Sequence, residues 1–476
     1  MLDFNDLAIA WSINMILYFL FLTNVGSFLG ADPIQNAENL SEYFAGTLAG
    51  YPLDYVTELP DDIETHITSP QQITIYPGST YIIGNDTNWV ISFEPGVNYQ
   101  DYKSGLFIAA DGDLSIKGVN IIGCYDYLSN TADTAKAICT WYGGALGASG
   151  WGDGRLNLEK CTIQGFAYGI FGRMGNAPGN GNISINNSTI EAYVCAAMYH
   201  DGLHTGHVLS AFDSTFYTVP LSNGHGEGIY AHRGIDILAD GCTFRTRPML
   251  PGVTEQKYAI QQFGTNEMRC RFIRISNCKF EHTGKGGVMV YAKDPPLAGT
   301  EISKCDFTGD LNAGVFFRGP ATVTNCTFVC DNGIKGYNAP NGQPGQIKVT
   351  GSTFATSSAI ADLAGDGYEY EFSDCVFDVS IINNPNSGMF FGTADGLTLI
   401  NCDLIGGQSA NVRGAVYGQF PVLILGGSYD IKSSYGQYGF NTLSLGGHIE
   451  DATIYHTGGA GLTDPAGTWT LVNITY

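Results

Sequence analysis

The sequence predicts an all-β solenoid in which short coils stack in parallel along most of the chain. Three observations lead there. First, a phrase made of a small residue, Cys or Ser, any residue, and then an aromatic or aliphatic one returns eleven times. Its copies centre on Cys161, Ser188, Ser214, Cys242, Cys278, Cys305, Cys326, Ser352, Cys375, Cys402 and Ser428. The intervals are 27, 26, 28, 36, 27, 21, 26, 23, 27 and 26 residues, and a period in the twenties built of β-prone runs and Gly/Asn turns marks stacked repeats. Second, 63 glycines and 53 Tyr plus Phe among 476 residues, with only 14% charged, suit many short strands joined by tight turns. Third, a solenoid lengthens by adding coils, so a chain of this size needs no second core.

The N-terminus reads differently. Leu7 to Ala31 is a run of 25 residues without a charge, about 37 Å long as a helix and so long enough to span a bilayer. Residues 1–31 are read as a hydrophobic helix that anchors in a membrane or pegs into a particle, or as a secretory signal. Against a signal stands the start itself, with Asp3 and Asp6 and no basic residue. Residues 32–67, punctuated by Pro33, Pro52 and Pro60, read as a neck or linker. Residues 68–476 read as the solenoid, with the first coil near 66–83 and the last ones within 448–476.

The formal charge is −23. Residues 1–102 hold 13 Asp/Glu and no Lys or Arg, and the remainder carries 32 acidic against 22 basic side chains. With nothing basic clustered to neutralise phosphates, nucleic acid is not an expected partner.

Within a coil, the strand after the Cys/Ser phrase has a pattern of its own. It reads Ile170-Phe171-Gly172-Arg173, Ala197-Met198-Tyr199-His200, Ile229-Tyr230-Ala231-His232, Ala259-Ile260-Gln261-Gln262, Val288-Met289-Val290-Tyr291 and Val315-Phe316-Phe317-Arg318. Strand side chains alternate faces, so the second and fourth positions share one side. The fourth position carries Arg, His, His, Gln, Tyr and Arg, which predicts a wet face studded with aromatic rings. The Cys/Ser position reads as an inner stack of small residues at a sharp corner. Parallel Cβ vectors there fit a disulfide poorly.

With these repeats the chain resembles the right-handed parallel β-helix group, the pectate-lyase-like fold of polysaccharide lyases, some glycosidases and phage tailspikes. The resemblance covers roughly residues 68–476 and implies about a dozen right-handed coils. It implies a spike on a virion or cell surface, a trimer in the manner of tailspikes, that binds and in enzymatic members cleaves host surface polysaccharide. A secreted polysaccharide-degrading glycosidase or lyase is the second implication and a non-catalytic surface solenoid the third, since one fold hosts many activities.

Ionisable side chains crowd two neighbouring coils. Asp201 and Glu227 are 26 residues apart, the same as the Ser188 to Ser214 interval. They therefore stack at roughly 5–8 Å, a separation that suits two-carboxylate glycoside hydrolysis. The strand pattern also sets His200 beside His232. Asp201, Glu227, His200 and His232 are the catalytic candidates. Arg173, Tyr230, Arg233, Gln262, Tyr291 and Arg318 are the substrate-binding candidates on the outward face. Turn-forming Asp and Glu and solvated His give a bland reading of the same residues. No HExxH or CxxC spacing calls for a metal, and no cofactor is expected.

Overall fold

The computed structural model describes residues 54–476 apart from most of the loops between coils, among them 94–105, 124–143, 175–180, 201–205, 220–225 and 248–256. Three parallel sheets run along the stack. The first has sixteen strands in chain order, from Asp54–Thr57 to Trp469–Val472. One complete coil is Val208–Phe212 on the first sheet, Thr215–Thr218 on the second and Ile229–His232 on the third. Each strand pairs in parallel with its counterparts one coil before and after, as Val208 does with Asn182 and with Asp236.

The stack is longer than the dozen coils expected, because coils without the Cys/Ser phrase are built in the same register. Asp54–Thr57 already pairs with Thr80–Ile83, and Glu64–Ile67 with Trp89–Phe93. Part of the segment read as a neck therefore belongs to the solenoid. Among the described residues every regular element is a strand. The helix expected within residues 1–31 lies outside them.

The corner between the first and second sheets explains the repeated phrase. Its leading residue lies in the left-handed region in coil after coil: φ is 54° at Lys160, 47° at Asn187, 48° at Asp213, 52° at Asn277 and 53° at Asn325. Gly118, Gly241 and Gly351 take the same turn. Asn, Asp and Gly tolerate this conformation best, which is why the phrase opens on them. The Cys or Ser that follows is small and can act as an acceptor. Cys161 N–H donates to Ser188 Oγ at 3.0 Å, Ser188 N–H to Ser214 Oγ at 3.1 Å and Cys326 N–H to Ser352 Oγ at 3.1 Å. Each side chain in turn donates to the carbonyl two residues back, Ser214 Oγ to Phe212 O at 2.7 Å for example. The corner thus carries a relay of hydroxyls and thiols from coil to coil. All ten described cysteines are buried and unbridged.

The register also corrects one copy of the phrase. Asp403 pairs with Ser428, so the partner of Cys402 is Gly427. A Cβ at Gly427 would stand 2.1 Å from the Cys402 carbonyl oxygen, so only glycine fits there. The relay skips this coil and Ser428 starts the strand.

The aromatic position of the phrase builds the core. Phe216, Phe244, Phe280, Phe307, Phe328 and Phe354 stack inside the second sheet with centroids 4.5 to 5.1 Å apart and planes within 10°. That spacing is close to the rise between parallel strands, about 4.8 Å, so each ring covers the next. Glycines within or just before the third-sheet strands make room for them. A Cβ at Gly228, Gly287, Gly314 or Gly333 would come within 2.4 to 2.7 Å of these rings.

A candidate glycan-binding strip on the third sheet

The register of the third sheet decides which residues share its outer face. Arg173 pairs with Tyr199. Met198 pairs with Ala231, which sets Tyr199 against His232. His232 pairs with Phe263 and Phe263 with Tyr291. Val290 pairs with Phe317, which sets Tyr291 against Arg318. One outward column therefore reads Tyr199, His232, Phe263, Tyr291, Arg318 over five successive coils, with the backbone of Arg173 in register one coil before it. The column beside it reads Phe171, Ala197, Tyr230, Gln261, Met289, Phe316.

Three of the binding candidates, Tyr230, Tyr291 and Arg318, and the catalytic candidate His232 fall on this face. Gln262 does not. It points into the core with no exposed area, one position from the outward Gln261. His200 pairs with Met174, one residue past the row, and Tyr199 takes the place expected for it. Tyr199 and Phe263 are the members that the sequence frame missed. Both misses are slips of one residue, and a slip of one inverts the face of every side chain in a strand.

The face is half-buried rather than wet. Tyr199, His232, Phe263, Tyr291 and Arg318 are all partly covered, and Tyr230 is 7% exposed. Rings on successive coils cover one another. Tyr199 lies 5.2 Å from Phe171 and 5.4 Å from His232, centroid to centroid. His232 stacks on Phe263 at 6.2 Å, and Phe263 on Tyr291 at 5.5 Å with planes 10° apart. The Arg318 guanidinium lies 4.9 Å over the Tyr291 ring, a cation–π contact that closes the stack. Tyr168, Tyr199 and Tyr230 interact through their phenols, and burial pushes the Tyr199 and Tyr230 hydroxyls above their ordinary pKa.

Glu227 lies beside these phenols and is fully buried. Its Oε2 accepts the Gly226 N–H at 3.1 Å, and its backbone carbonyl accepts the Cys195 N–H at 3.0 Å. Asp201, its expected partner, lies outside the described residues, as do the side chains of His200 and Arg173. Arg233 follows the strand in a left-handed turn, φ 64°.

The geometry limits the chemistry. Faces of the stacked rings are taken by their neighbours, so ring edges, phenol hydroxyls, the imidazole and the guanidinium are what the strip offers to a ligand. Five coils make it about 24 Å long. An apolar ribbon edged with donors and acceptors suits an extended polar chain lying along the axis.

Residues 258–463 match the family model described as right handed beta helix region. No curated protein matches the chain. Among solved structures, the periplasmic alginate epimerase AlgG overlaps 92% of this chain and 82% of its own at 11% identity, with a TM-score of 0.32. PfbA, a surface adhesin of Streptococcus pneumoniae, overlaps 94% of this chain and 90% of its own at 12% identity, with a TM-score of 0.28. Overlaps this loose carry no activity across. With its coil register and the match over residues 258–463, the chain folds as a right-handed parallel β-helix solenoid.

Proposed function

We propose that this protein is a surface solenoid that binds a polysaccharide lengthwise along the outer face of its third sheet. The observation that carries this reading is the column Tyr199, His232, Phe263, Tyr291, Arg318, in which four rings and a cation follow one another across five coils. Ring edges line the strip and the polar groups bond hydroxyls. The run Leu7–Ala31 would hold the solenoid to a membrane or a virion particle. The test is to screen the purified protein against host surface polysaccharides and read both binding and fragment release. Binding to at least one polysaccharide supports the reading, and none across a broad panel rejects it.

Cleavage is the second reading, favoured by the position of Glu227. A carboxyl held out of water within electrostatic reach of Tyr199 and Tyr230 can serve as an acid or base, and Asp201, His200 and His232 are the partners expected from the sequence. Glu227→Gln separates the two functions: it abolishes fragment release and leaves binding intact if Glu227 is catalytic. Release at the wild-type rate from this variant refutes cleavage by Glu227.

A further inference from the structure

We infer that Gln262 is a positioning residue: from inside the solenoid it clamps the Arg233 turn one coil earlier and thereby orients the His232–Arg233 end of the strip. This rests on the binding reading above. Gln262 has no exposed area, and its register neighbours on the inner face are Ala231 and Val290. An amide in such surroundings is costly unless it is bonded. Its Nε2 donates to the Arg233 carbonyl at 2.9 Å, while its Oε1 has no hydrogen-bond partner. One bond made and one forgone is a poor exchange for core packing, which an aliphatic side chain of that volume would serve better. What the amide does accomplish is local.

Arg233 is the residue that needs holding. It is not glycine, yet its φ is 64°, a conformation that costs an L-residue roughly 1–2 kcal/mol. Three bonds hold the turn. Arg233 N–H donates to Phe263 O at 2.7 Å, Ile235 N–H donates to Arg233 O at 2.8 Å, and the Gln262 amide supplies the third. Two of the three come from consecutive residues, Gln262 and Phe263, and these face opposite ways. Phe263 stacks on His232 outside at 6.2 Å while Gln262 holds the next residue from inside. The pair grips the end of the Ile229–His232 strand across the sheet.

The test uses the full chain and two apolar isosteres, Gln262→Met and Gln262→Leu. Three readouts are taken: the global unfolding midpoint, hydrogen exchange in a peptide spanning residues 229–236, and affinity for the polysaccharide found by the screen. The clamp predicts an unchanged midpoint, exchange in that peptide faster by roughly tenfold, and binding weaker by roughly fivefold. Unchanged local exchange overturns the clamp, whatever the glycan result. Faster exchange with wild-type affinity overturns the positioning role. If the wild-type protein binds no polysaccharide, the proposed function fails, and the exchange arm still decides the clamp.

Discussion

The guanidinium of Arg318 lies 4.9 Å over the ring of Tyr291, the residue one coil before it in the same outward column. A stack of rings leaves one face bare at its end, and here a cation covers it. Arg318→Ala should cost about 0.5–2 kcal/mol of stability, read from urea unfolding, and should weaken glycan binding. Arg318→Lys should restore part of both, because an ammonium keeps the charge but not the flat contact. Equal stability for Ala, Lys and wild type would show that the contact contributes nothing.

The interior ring stack should be less forgiving. Phe328 sits between Phe307 at 4.8 Å and Phe354 at 4.6 Å. Phe328→Ala should destabilise by about 3–5 kcal/mol, the usual cost of emptying a core aromatic site. Gly314→Ala should also destabilise, because its Cβ would stand 2.4 Å from Phe328 Cδ1. A denaturant midpoint unchanged by Gly314→Ala would mean that the ring moves aside freely.

These stacks show how far the sequence speaks. The Cys/Ser phrase marks the corners because two demands coincide there, a left-handed residue and then a small acceptor, and few residue types satisfy both. The aromatic that follows is inward by alternation, so the core was legible. The third sheet was harder. Ala196, Ala197 and Met198 are apolar on both faces, and Gln261 and Gln262 are the same residue on opposite faces, so alternation carries no signal at either place. Both frames slipped by one, which hid Tyr199 and Phe263 and misplaced Gln262. The burial of Glu227 is not legible in the sequence either, since it depends on how neighbouring coils pack together.

At the corners, Asn325 has φ 53°. Asn325→Gly should be within about 0.5 kcal/mol of wild type, whereas Asn325→Ala should cost about 1 kcal/mol. Thermal unfolding of the two variants side by side decides it. Alanine as stable as glycine would contradict the left-handed corner.

The thiols give a pH signature. Burial pushes Cys161 up to about 11, and Cys270 and Cys330 up to about 12, from an ordinary value of 9.0. A folded-state pKa above the unfolded one means that folding favours the protonated thiol. Stability from this source is therefore complete below pH 9 and declines as pH rises through 9 toward 11–12. Thiol-reactive reagents at pH 8 should leave these three cysteines unmodified in the folded protein and label them after denaturation. Rapid labelling of the native chain at these sites would contradict their burial.

The measurement closest to the central claim is the polysaccharide affinity of the wild-type protein set against His232→Ala and Tyr291→Ala. Both residues lie in the middle of the outward column, on either side of Phe263. Glycan binding along this strip predicts that each substitution weakens affinity by about 1–3 kcal/mol, roughly 5- to 150-fold, while the variants stay folded at the temperature of the assay, as read by circular dichroism. Wild-type affinity in both variants would place the glycan on another face of the solenoid and contradict the claim.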